Sequence, residues 1–213
     1  AEVITPDISL DEVEVCVMKS KIDKALGPDM TPVEQYKACP RAVTELHDAL
    51  HCIWTTEIIP DDFVLADMQM IYKKKARDNR KNYRALGLLN HSYKVFAMVL
   101  LSRMMPYIDP KISDMQAGFR KDRGCRDNIV ILVSAIQHLL DESEKTARSL
   151  GIITYIDFTA AFDSILHSYL LNALKEYKVP LKYCRLVQAI YSSAKVRVRI
   201  QERSGNKAYS RPI

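Results

Sequence analysis

The stretch YIDFTAAFDS, residues 155–164, decides how the rest of this sequence is interpreted. The apolar, β-branched run before it, LGIITYI at residues 150–156, predicts a buried central strand. Asp157 would then lie at the carboxyl end of that strand, where open α/β sheets place their ligands. A carboxylate there can hold a hard cation such as Mg²⁺, or it can be an ordinary acid that caps a helix or forms an ion pair. Asp163 is predicted to cap the next helix.

Composition excludes several classes of protein. The chain has 213 residues, of which 48% are hydrophobic and 27% charged, as in a folded globular protein. We expect neither a signal peptide nor a membrane contact, because no basic leader and no apolar run of about 20 residues occurs. An intracellular protein of the cytoplasm or nucleus is therefore expected. The five cysteines are scattered and odd in number, which fits neither a disulfide framework nor a zinc site.

The charge is concentrated in one segment. Net charge is +5, but KKKARDNRKNYR at residues 73–84 contains seven Lys or Arg and one Asp. A cluster of cations on an otherwise balanced chain is the pattern expected of a protein that binds polyanions. It is also an ordinary pattern for a solvated surface, so the segment leaves both interpretations open.

Hydrophobic periodicity predicts helices first, and then a strand, two helices and a hairpin. Ser9 and Glu12 form a capping box, and Gly27 is a stop signal for the first helix. Thr31 is the expected cap of the second helix. Further helices are expected from Pro40, over 92–107, 126–145, 166–178 and 181–193, and strands over 64–75, 151–157 and 195–200, the last followed by a turn at 202–206 and a return strand.

The segment QAGFRKDRG, residues 116–124, combines glycines, an aromatic ring and three cations in a predicted loop. Glycine permits close approach of a backbone to a ligand, Phe119 can stack on a base, and Arg120 and Arg123 can reach phosphates. An ordinary surface loop explains the same composition equally well.

Taken in order, these segments resemble a known family. The series KIDKALGPDMTP, MIYKKK, NYRALGLLN, YKVFAMVLLSRM, QAGFRKDRGCRDNI, YIDFTAAFDS and IYSSAKVRV resembles the reverse transcriptase domain of non-LTR (LINE-type) retrotransposons. The resemblance runs from about Lys21 to Ile213. It implies an α+β fold, the right-hand polymerase fold of reverse transcriptases, with fingers and a partial palm truncated before the Y-x-D-D hairpin. Residues 1–148 would form the fingers with an N-terminal helical extension, and residues 149–213 the first part of the palm.

The resemblance also assigns roles to residues of the opening stretch. Asp157 matches the first metal-binding aspartate of the palm and would be the catalytic residue of this site, while Phe158 would offer its backbone carbonyl to the metal. Phe162 matches the aromatic residue that lies under the sugar of the incoming dNTP and excludes a ribose 2′-hydroxyl. The implied ion is Mg²⁺, with Mn²⁺ as an alternative.

The same resemblance assigns contacts with phosphates and nucleic acid. Lys73 or Lys74, together with Arg84, would hold the phosphates of the dNTP. The implied nucleic-acid contacts come from one loop: Gln116, Gly118, Phe119, Arg120 and Arg123. The implied partners are an RNA template, a DNA primer and dNTPs, and the sequence does not indicate an oligomeric state.

Three functions remain as hypotheses. The first is part of an RNA-directed DNA polymerase, in which two-metal nucleotidyl transfer belongs to the full-length parent. Because no Y-x-D-D sequence occurs in the chain, we expect this fragment by itself to be inactive. The second is a catalytically incompetent remnant that acts at most as a nucleic-acid-binding module. The third is an unrelated two-metal nuclease, which would need further acids around Asp157.

Overall fold

The computed structural model describes residues 4–74, 76–146, 152–201 and 207–213, and it confirms the α+β class. Helices and strands follow the chain in this order: α1 Leu10–Lys19, α2 Val33–Ala38, α3 Pro40–Thr56, β1 Leu65–Tyr72, β2 Tyr83–Leu89, α4 His91–Ile108, α5 Cys125–Thr146, α6 His167–Glu176, α7 Leu181–Ser193, β3 Lys195–Gln201 and β4 Lys207–Tyr209. No helix among the described residues is both long enough and apolar enough to span a membrane.

The first helix begins as predicted but ends early. Ser9 caps α1, with its hydroxyl accepting from the Glu12 amide while the Glu12 carboxylate accepts from the Ser9 amide, so the capping box is confirmed. The helix stops at Lys19, so the prediction that Gly27 ends it is wrong. The expected Thr31 cap is wrong too, because Pro32 is the N-cap of α2 and no side chain caps it.

The helical core consists of α1, α3 and α4, which bury their apolar faces against one another and against α7. Helix α3 buries all five residues of its apolar side, and α1 and α4 add side chains with no exposed surface. The residues concerned are Val43, Leu46, Leu50, Ile53 and Trp54 of α3, Val13 and Val17 of α1, and Val95, Phe96 and Val99 of α4. Burial on this scale is the main source of stability in a helical domain.

Arg103 of α4 ties the N-terminal segment to this core. Its guanidinium donates two hydrogen bonds to the Glu12 carboxylate, at 2.8 and 2.6 Å, and others to the carbonyls of Pro6 and Asp7. The same group lies 4.6 Å from the ring centroid of Trp54. This hydrogen bonding lowers the pKa of Glu12 to about 2, because the charged carboxylate is the form that Arg103 stabilises.

A four-stranded sheet has the order β2-β1-β3-β4. The β1–β2 and β3–β4 pairs are antiparallel, whereas β1 and β3 are parallel. Strand β3 lies in the predicted palm segment and β1 in the predicted fingers segment, so a single sheet joins the two. The division at residues 148 and 149 stays a prediction. The turn expected at residues 202–206 lies outside the described residues.

The two faces of the sheet differ in chemistry. On one face, β1 and β3 pair Asp67 with Arg197 in direct register, and the guanidinium forms an ion pair with the buried carboxylate. The other face presents Ala66, Leu89 and Val196 to α4, α6 and α7 across an apolar cavity of about 540 Å³. The ion pair raises the pKa of Arg197 and gives β3 a specific register on β1.

The prediction of a buried strand at residues 151–157 is wrong. Gly151 lies outside the described residues, and residues 152–158 form no strand. Their apolar side chains face solvent, with Ile152 83% and Ile156 78% exposed. Strand β1 already has a neighbour on each side, so the described sheet offers this segment no position next to β1. An apolar, β-branched sequence predicts a tendency toward burial, but a strand also needs a partner backbone with which to pair.

Helix α5 forms where it was predicted, but its apolar stripe is not covered. Of residues 125–141, whose side chains the structure describes, none is buried. Ile129, Val133 and Leu140, which recur at helical spacing, are 57%, 58% and 54% exposed. A hydrophobic stripe at helical spacing therefore identified the helix correctly, without identifying a surface that covers it in this structure.

Candidate functional site

The basic hairpin is defined as residues 73–84, which link β1 to β2; Lys75 lies outside the described residues. The described part displays cations on a hydrogen-bonded backbone. The Lys73 amide donates to the Asn82 carbonyl at 2.8 Å, and the Asn82 side chain donates to the Ala76 carbonyl at 2.6 Å. The Tyr83 hydroxyl donates to the Arg77 carbonyl at 2.8 Å. The acceptors of these hydrogen bonds are backbone carbonyls. The cationic side chains of Lys73, Lys74 and Arg77 are all exposed and can be reached by a ligand.

Aromatic rings support the base of the basic hairpin. Tyr72 and Tyr83 are paired residues on β1 and β2, and their rings meet edge to face at 5.6 Å between centroids. The Arg77 guanidinium lies 5.1 Å from the Tyr72 ring centroid. Arg84 follows on β2 opposite Ile71, with an exposed side chain. The predicted phosphate-binding residues Lys73, Lys74 and Arg84 are thus on one exposed hairpin.

The opening stretch forms a turn outside the sheet. The Ser164 amide donates to the Ala160 carbonyl at 2.9 Å, and Ala160 has a positive φ of 51°. Asp157 and Phe158 precede this turn and are exposed, as is Phe162 within it. Asp163 does not cap a helix, because α6 begins only at His167 with Leu166 as its N-cap. That prediction is wrong: the turn ends too far ahead of the helix for the Asp163 carboxylate to cap it.

The residues do not assemble a metal site around Asp157. Across the part of the chain that the structure describes, no group of three or more His, Cys, Asp or Glu side chains could hold a metal ion. Divalent cations in phosphoryl transfer need several oxygen ligands, and one exposed carboxylate provides too few. The role of Asp157 as a metal ligand stays a prediction, and so does the role of the Phe158 carbonyl.

In the loop at residues 113–124, one of the residues predicted to bind phosphate, Arg120, is instead paired with other residues of the chain. The Arg120 guanidinium, whose side chain is only 9% exposed, donates to the two carboxylate oxygens of Asp109 at 3.0 and 3.2 Å and to the Ser113 carbonyl at 3.1 Å. This pairing lowers the pKa of Asp109. Arg123 contacts the Asp114 carboxylate at 3.3 Å but is 43% exposed. In this structure Arg120 anchors the loop, whereas Arg123 keeps an accessible guanidinium.

The structure brings two sequence-predicted site residues into contact. The rings of Phe119 and Phe162 lie 5.7 Å apart between centroids, with an interplanar angle of 90°. Gln116 and Gly118 are exposed in the same loop. Among the described residues, no hydrogen bond, ion pair or ring contact joins the basic hairpin or Gln116 to Asp157.

The sequence did not lead us to predict one buried polar junction, at the start of α4. Asn90 and His91, at the start of α4, are 5% and 4% exposed. The Asn90 side chain accepts from the Asp29 amide at 3.1 Å and donates to the Asp62 carbonyl at 3.0 Å, while Nδ1 of His91 lies 3.0 Å from the Thr31 carbonyl. Polar residues directly after the apolar run LGLL were the available signal. The junction holds the loop before α2 against the end of β2.

Comparison with known proteins agrees with this arrangement of segments. Residues 71–211 match the family described as reverse transcriptase (RNA-dependent DNA polymerase), which is more than half of the chain. The range contains the basic hairpin, the loop at 113–124, the turn with Asp157, strands β2, β3 and β4, and the last two residues of β1.

Three relatives carry names of transposable elements. The transposon TX1 149 kDa protein of Xenopus laevis, named as uncharacterized, is 25% identical over 91% of this chain and 14% of its own length. The retrovirus-related Pol polyprotein from the type-2 retrotransposable element R2DM of Drosophila melanogaster is 25% identical over 89% of the chain and 18% of its own. The retrovirus-related Pol polyprotein from the type-1 retrotransposable element R1 of Bradysia coprophila is 26% identical over 78% of the chain and 16% of its own length.

The chain thus spans less than a fifth of the length of each of these relatives. The family match and the names of the relatives confirm the resemblance to the reverse transcriptase domain of non-LTR, LINE-type retrotransposons. The chain belongs to the reverse transcriptase (RNA-dependent DNA polymerase) family.

Proposed function

We propose that this chain supplies the nucleotide-binding and template-binding part of an RNA-directed DNA polymerase. Its partners are an RNA template, a DNA primer and dNTPs, and its parts correspond to the fingers and the first part of the palm of a right-hand polymerase. The observation that carries the proposal is the basic hairpin, where Lys73, Lys74 and Arg84 are exposed on a backbone fixed by its own hydrogen bonds. The family match supports the class of reaction.

The hairpin suits phosphate because of the geometry of its donors. Arg84 offers a planar guanidinium that can bind two phosphate oxygens at once, and the lysines add compact positive charges. A strand-ordered backbone reduces the conformational entropy lost when these side chains bind. Arg123, exposed in the loop at 113–124, adds a fourth cation for the nucleic-acid backbone.

Phe162 is the proposed filter for the sugar. Its ring is 74% exposed, so a nucleotide can reach its face. A ring in contact with the deoxyribose leaves no room for a 2′-hydroxyl, and the clash discriminates against ribonucleotides. Apolar exclusion of this kind rejects an added hydroxyl by about 100-fold.

Binding of single-stranded RNA at several salt concentrations tests the role of the hairpin. Changing Lys73 and Lys74 together to Glu should weaken binding at least 10-fold at low salt and reduce the slope of log K against log salt by about 1.4. Changing Lys19 and Lys175, which are exposed on α1 and α6, together to Glu alters the net charge equally. Equal losses in the two double variants would contradict a specific role for the hairpin.

We propose further that this chain alone does not extend a primer. The support is the lone Asp157 carboxylate, which has no cluster of metal-binding side chains in the described part of the chain. Purified protein would be incubated with an RNA template, a DNA primer, dNTPs and Mg²⁺ or Mn²⁺. Any extended product that is lost in Asp157→Asn would overturn this proposal.

The same observation favours a second candidate, a catalytically incompetent remnant that only binds nucleic acid. The two candidates predict different activities for the polypeptide translated from the complete reading frame. Primer extension by that polypeptide supports the polymerase. RNA binding with the expected salt dependence, but without extension, supports the remnant.

A further inference from the structure

Phe119 and Phe162 make the aromatic contact that joins the loop at 113–124 to the turn after Asp157. Their rings meet edge to face, with centroids 5.7 Å apart and planes at 90°. This is a favoured geometry for two aromatic rings, because the positive edge of one meets the negative face of the other. Both rings are otherwise open to solvent, Phe119 92% and Phe162 74% exposed. The contact is therefore a pairing of two projecting rings and not part of the core.

The residue next to Phe119 is fixed by hydrogen bonds and an ion pair. Arg120, the next residue, is fixed by Asp109 through both carboxylate oxygens and by the Ser113 carbonyl. The Arg120 side chain is 9% exposed, whereas that of Asp109 is 44% exposed, so only the guanidinium side of this anchor is shielded from water. The Phe119 backbone is thus adjacent to a residue that a bidentate ion pair holds in place.

The Phe119 backbone is also strained. Its φ is +60°, a conformation that a bulky L-residue rarely adopts and that persists only where the surroundings enforce it. In this conformation the Phe119 side chain lies beside Phe162.

Phe162 lies in a tight turn. Ala160 has a φ of +51°, and the Ser164 amide donates to its carbonyl at 2.9 Å. The turn fixes the backbone of Phe162, but the side chain can still rotate about its own bonds. Among the ring contacts of the described residues, the Phe162 ring meets that of Phe119 alone.

We infer that Phe119 is a positioning residue that fixes the orientation of the Phe162 ring and thereby contributes to discrimination between deoxyribose and ribose. The inference rests on the proposed function, in which Phe162 excludes the 2′-hydroxyl. A ring that can tilt away leaves space for the extra oxygen, so an oriented ring excludes it more effectively than a mobile one. Template stacking by Phe119 is the competing role, and it would affect deoxyribonucleotides and ribonucleotides equally.

The test measures kcat/KM for a dNTP and for the ribonucleotide of the same base, using the polypeptide translated from the complete reading frame. Phe119→Leu removes the ring and should lower the dNTP-to-ribonucleotide ratio by about 3- to 10-fold, the range expected for one edge-to-face contact. Phe119→Tyr keeps the ring and should retain the wild-type ratio. Phe162→Ala should lower the ratio by about 100-fold.

Two controls separate the possible outcomes. Met115→Ala alters an apolar side chain of the same loop that is 70% exposed, and it should leave the ratio unchanged. The double variant of Phe119→Leu and Phe162→Ala should match Phe162→Ala alone, because Phe119 acts through Phe162. An unchanged ratio in Phe119→Leu, or an equal loss for both nucleotides, overturns the inference and leaves the proposed function standing. An unchanged ratio in Phe162→Ala overturns the proposed filter, and the inference with it.

Discussion

Two regions of the molecule differ in how they use similar side chains. One is the helical core of α1, α3 and α4, and the other is the motif segment, defined as the described residues between 109 and 165. Ile53 of α3 is 5% exposed, whereas Ile129 of α5 is 57% exposed at an equally regular position in its helix. Arg103 holds Glu12 within the core, and Arg120 holds Asp109 at the edge of the motif segment. The core buries its apolar residues, while the motif segment covers the Arg120 guanidinium and displays its rings.

This difference indicates where each region obtains its order. Apolar burial orders the core, and it tolerates little change of shape. The motif segment is ordered by local hydrogen bonds, turns and ion pairs such as Arg120 with Asp109, and its apolar side chains remain available to a ligand or to further polypeptide. Stability measurements on matched variants should therefore separate the two regions clearly.

The largest effect is expected from removing a core side chain. Ile53→Ala should lower the free energy of unfolding by about 3 to 4 kcal/mol, because it removes buried methyl groups and leaves a cavity. Ile129→Ala removes the same atoms from an exposed position and should change it by less than about 0.5 kcal/mol. Urea denaturation measures both. Equal losses would mean that the α5 face is covered in solution, and the comparison would fail.

A slightly smaller effect is expected from breaking the Arg103 pair. Arg103→Met should cost about 2 to 3 kcal/mol, because it leaves the Glu12 carboxylate and two carbonyls without their donor in a partly buried site. Arg123→Met, which removes a more exposed guanidinium from the motif segment, is the control and should cost about 0.5 kcal/mol or less. Thermal unfolding at neutral pH compares them. A loss in Arg123→Met as large as that in Arg103→Met would contradict the distinction.

Glycines give a third matched pair. A Cβ atom on Gly27 would lie 2.5 Å from the Asn90 amide nitrogen and 2.6 Å from the Leu89 carbonyl carbon, so Gly27→Ala must displace backbone. We expect a loss of about 2 kcal/mol. Gly118→Ala meets no atom within 4 Å and should be close to neutral in stability. Chemical denaturation of the two variants would refute the comparison if the order of their stabilities were reversed.

The smallest expected effect is a dependence on pH. The pKa of Glu12 falls from 4.5 to about 2 because Arg103 stabilises the charged carboxylate. A lowered pKa contributes stability above the unfolded value, and that stability is lost as pH falls from about 5 toward 2. After allowance for partial exposure, wild type should lose about 1 kcal/mol more than Glu12→Gln across this window. Parallel curves for the two proteins would show that the pair contributes no pH-dependent stability.

The sequence predicted the helices of the core well, since their signals are local. Periodic apolar residues and a capping box determine where α1 and α3 begin and which faces they bury. The end of α1 at Lys19 has no comparable local signal, and Gly27 lies instead in a loop packed against Asn90. The strand at 151–157 was predicted wrongly for a related reason: pairing depends on the neighbours available in the sheet, and local composition does not contain that information.

The candidate site shows the same division. The exposed cations of the basic hairpin followed from composition and from the strand pattern around it. That Arg120 binds Asp109, and that Phe119 meets Phe162 across 43 positions of sequence, could not be predicted, because both contacts depend on how the loops fold back. The unusual φ of Phe119 likewise has no signal in the residue type itself.

The parallel pairing of β1 with β3 has a consequence for the newly made protein. Asp67 meets Arg197 across 130 positions, so β1 is synthesised long before its parallel partner. At a translation rate of roughly 5–20 residues per second, the inner edge of β1 waits roughly 6 to 26 s for β3 to emerge from the ribosome. During this interval the β1–β2 hairpin presents an unpaired edge and the uncompensated Asp67 charge. That acid discourages incorrect pairing with other chains until Arg197 arrives to neutralise it.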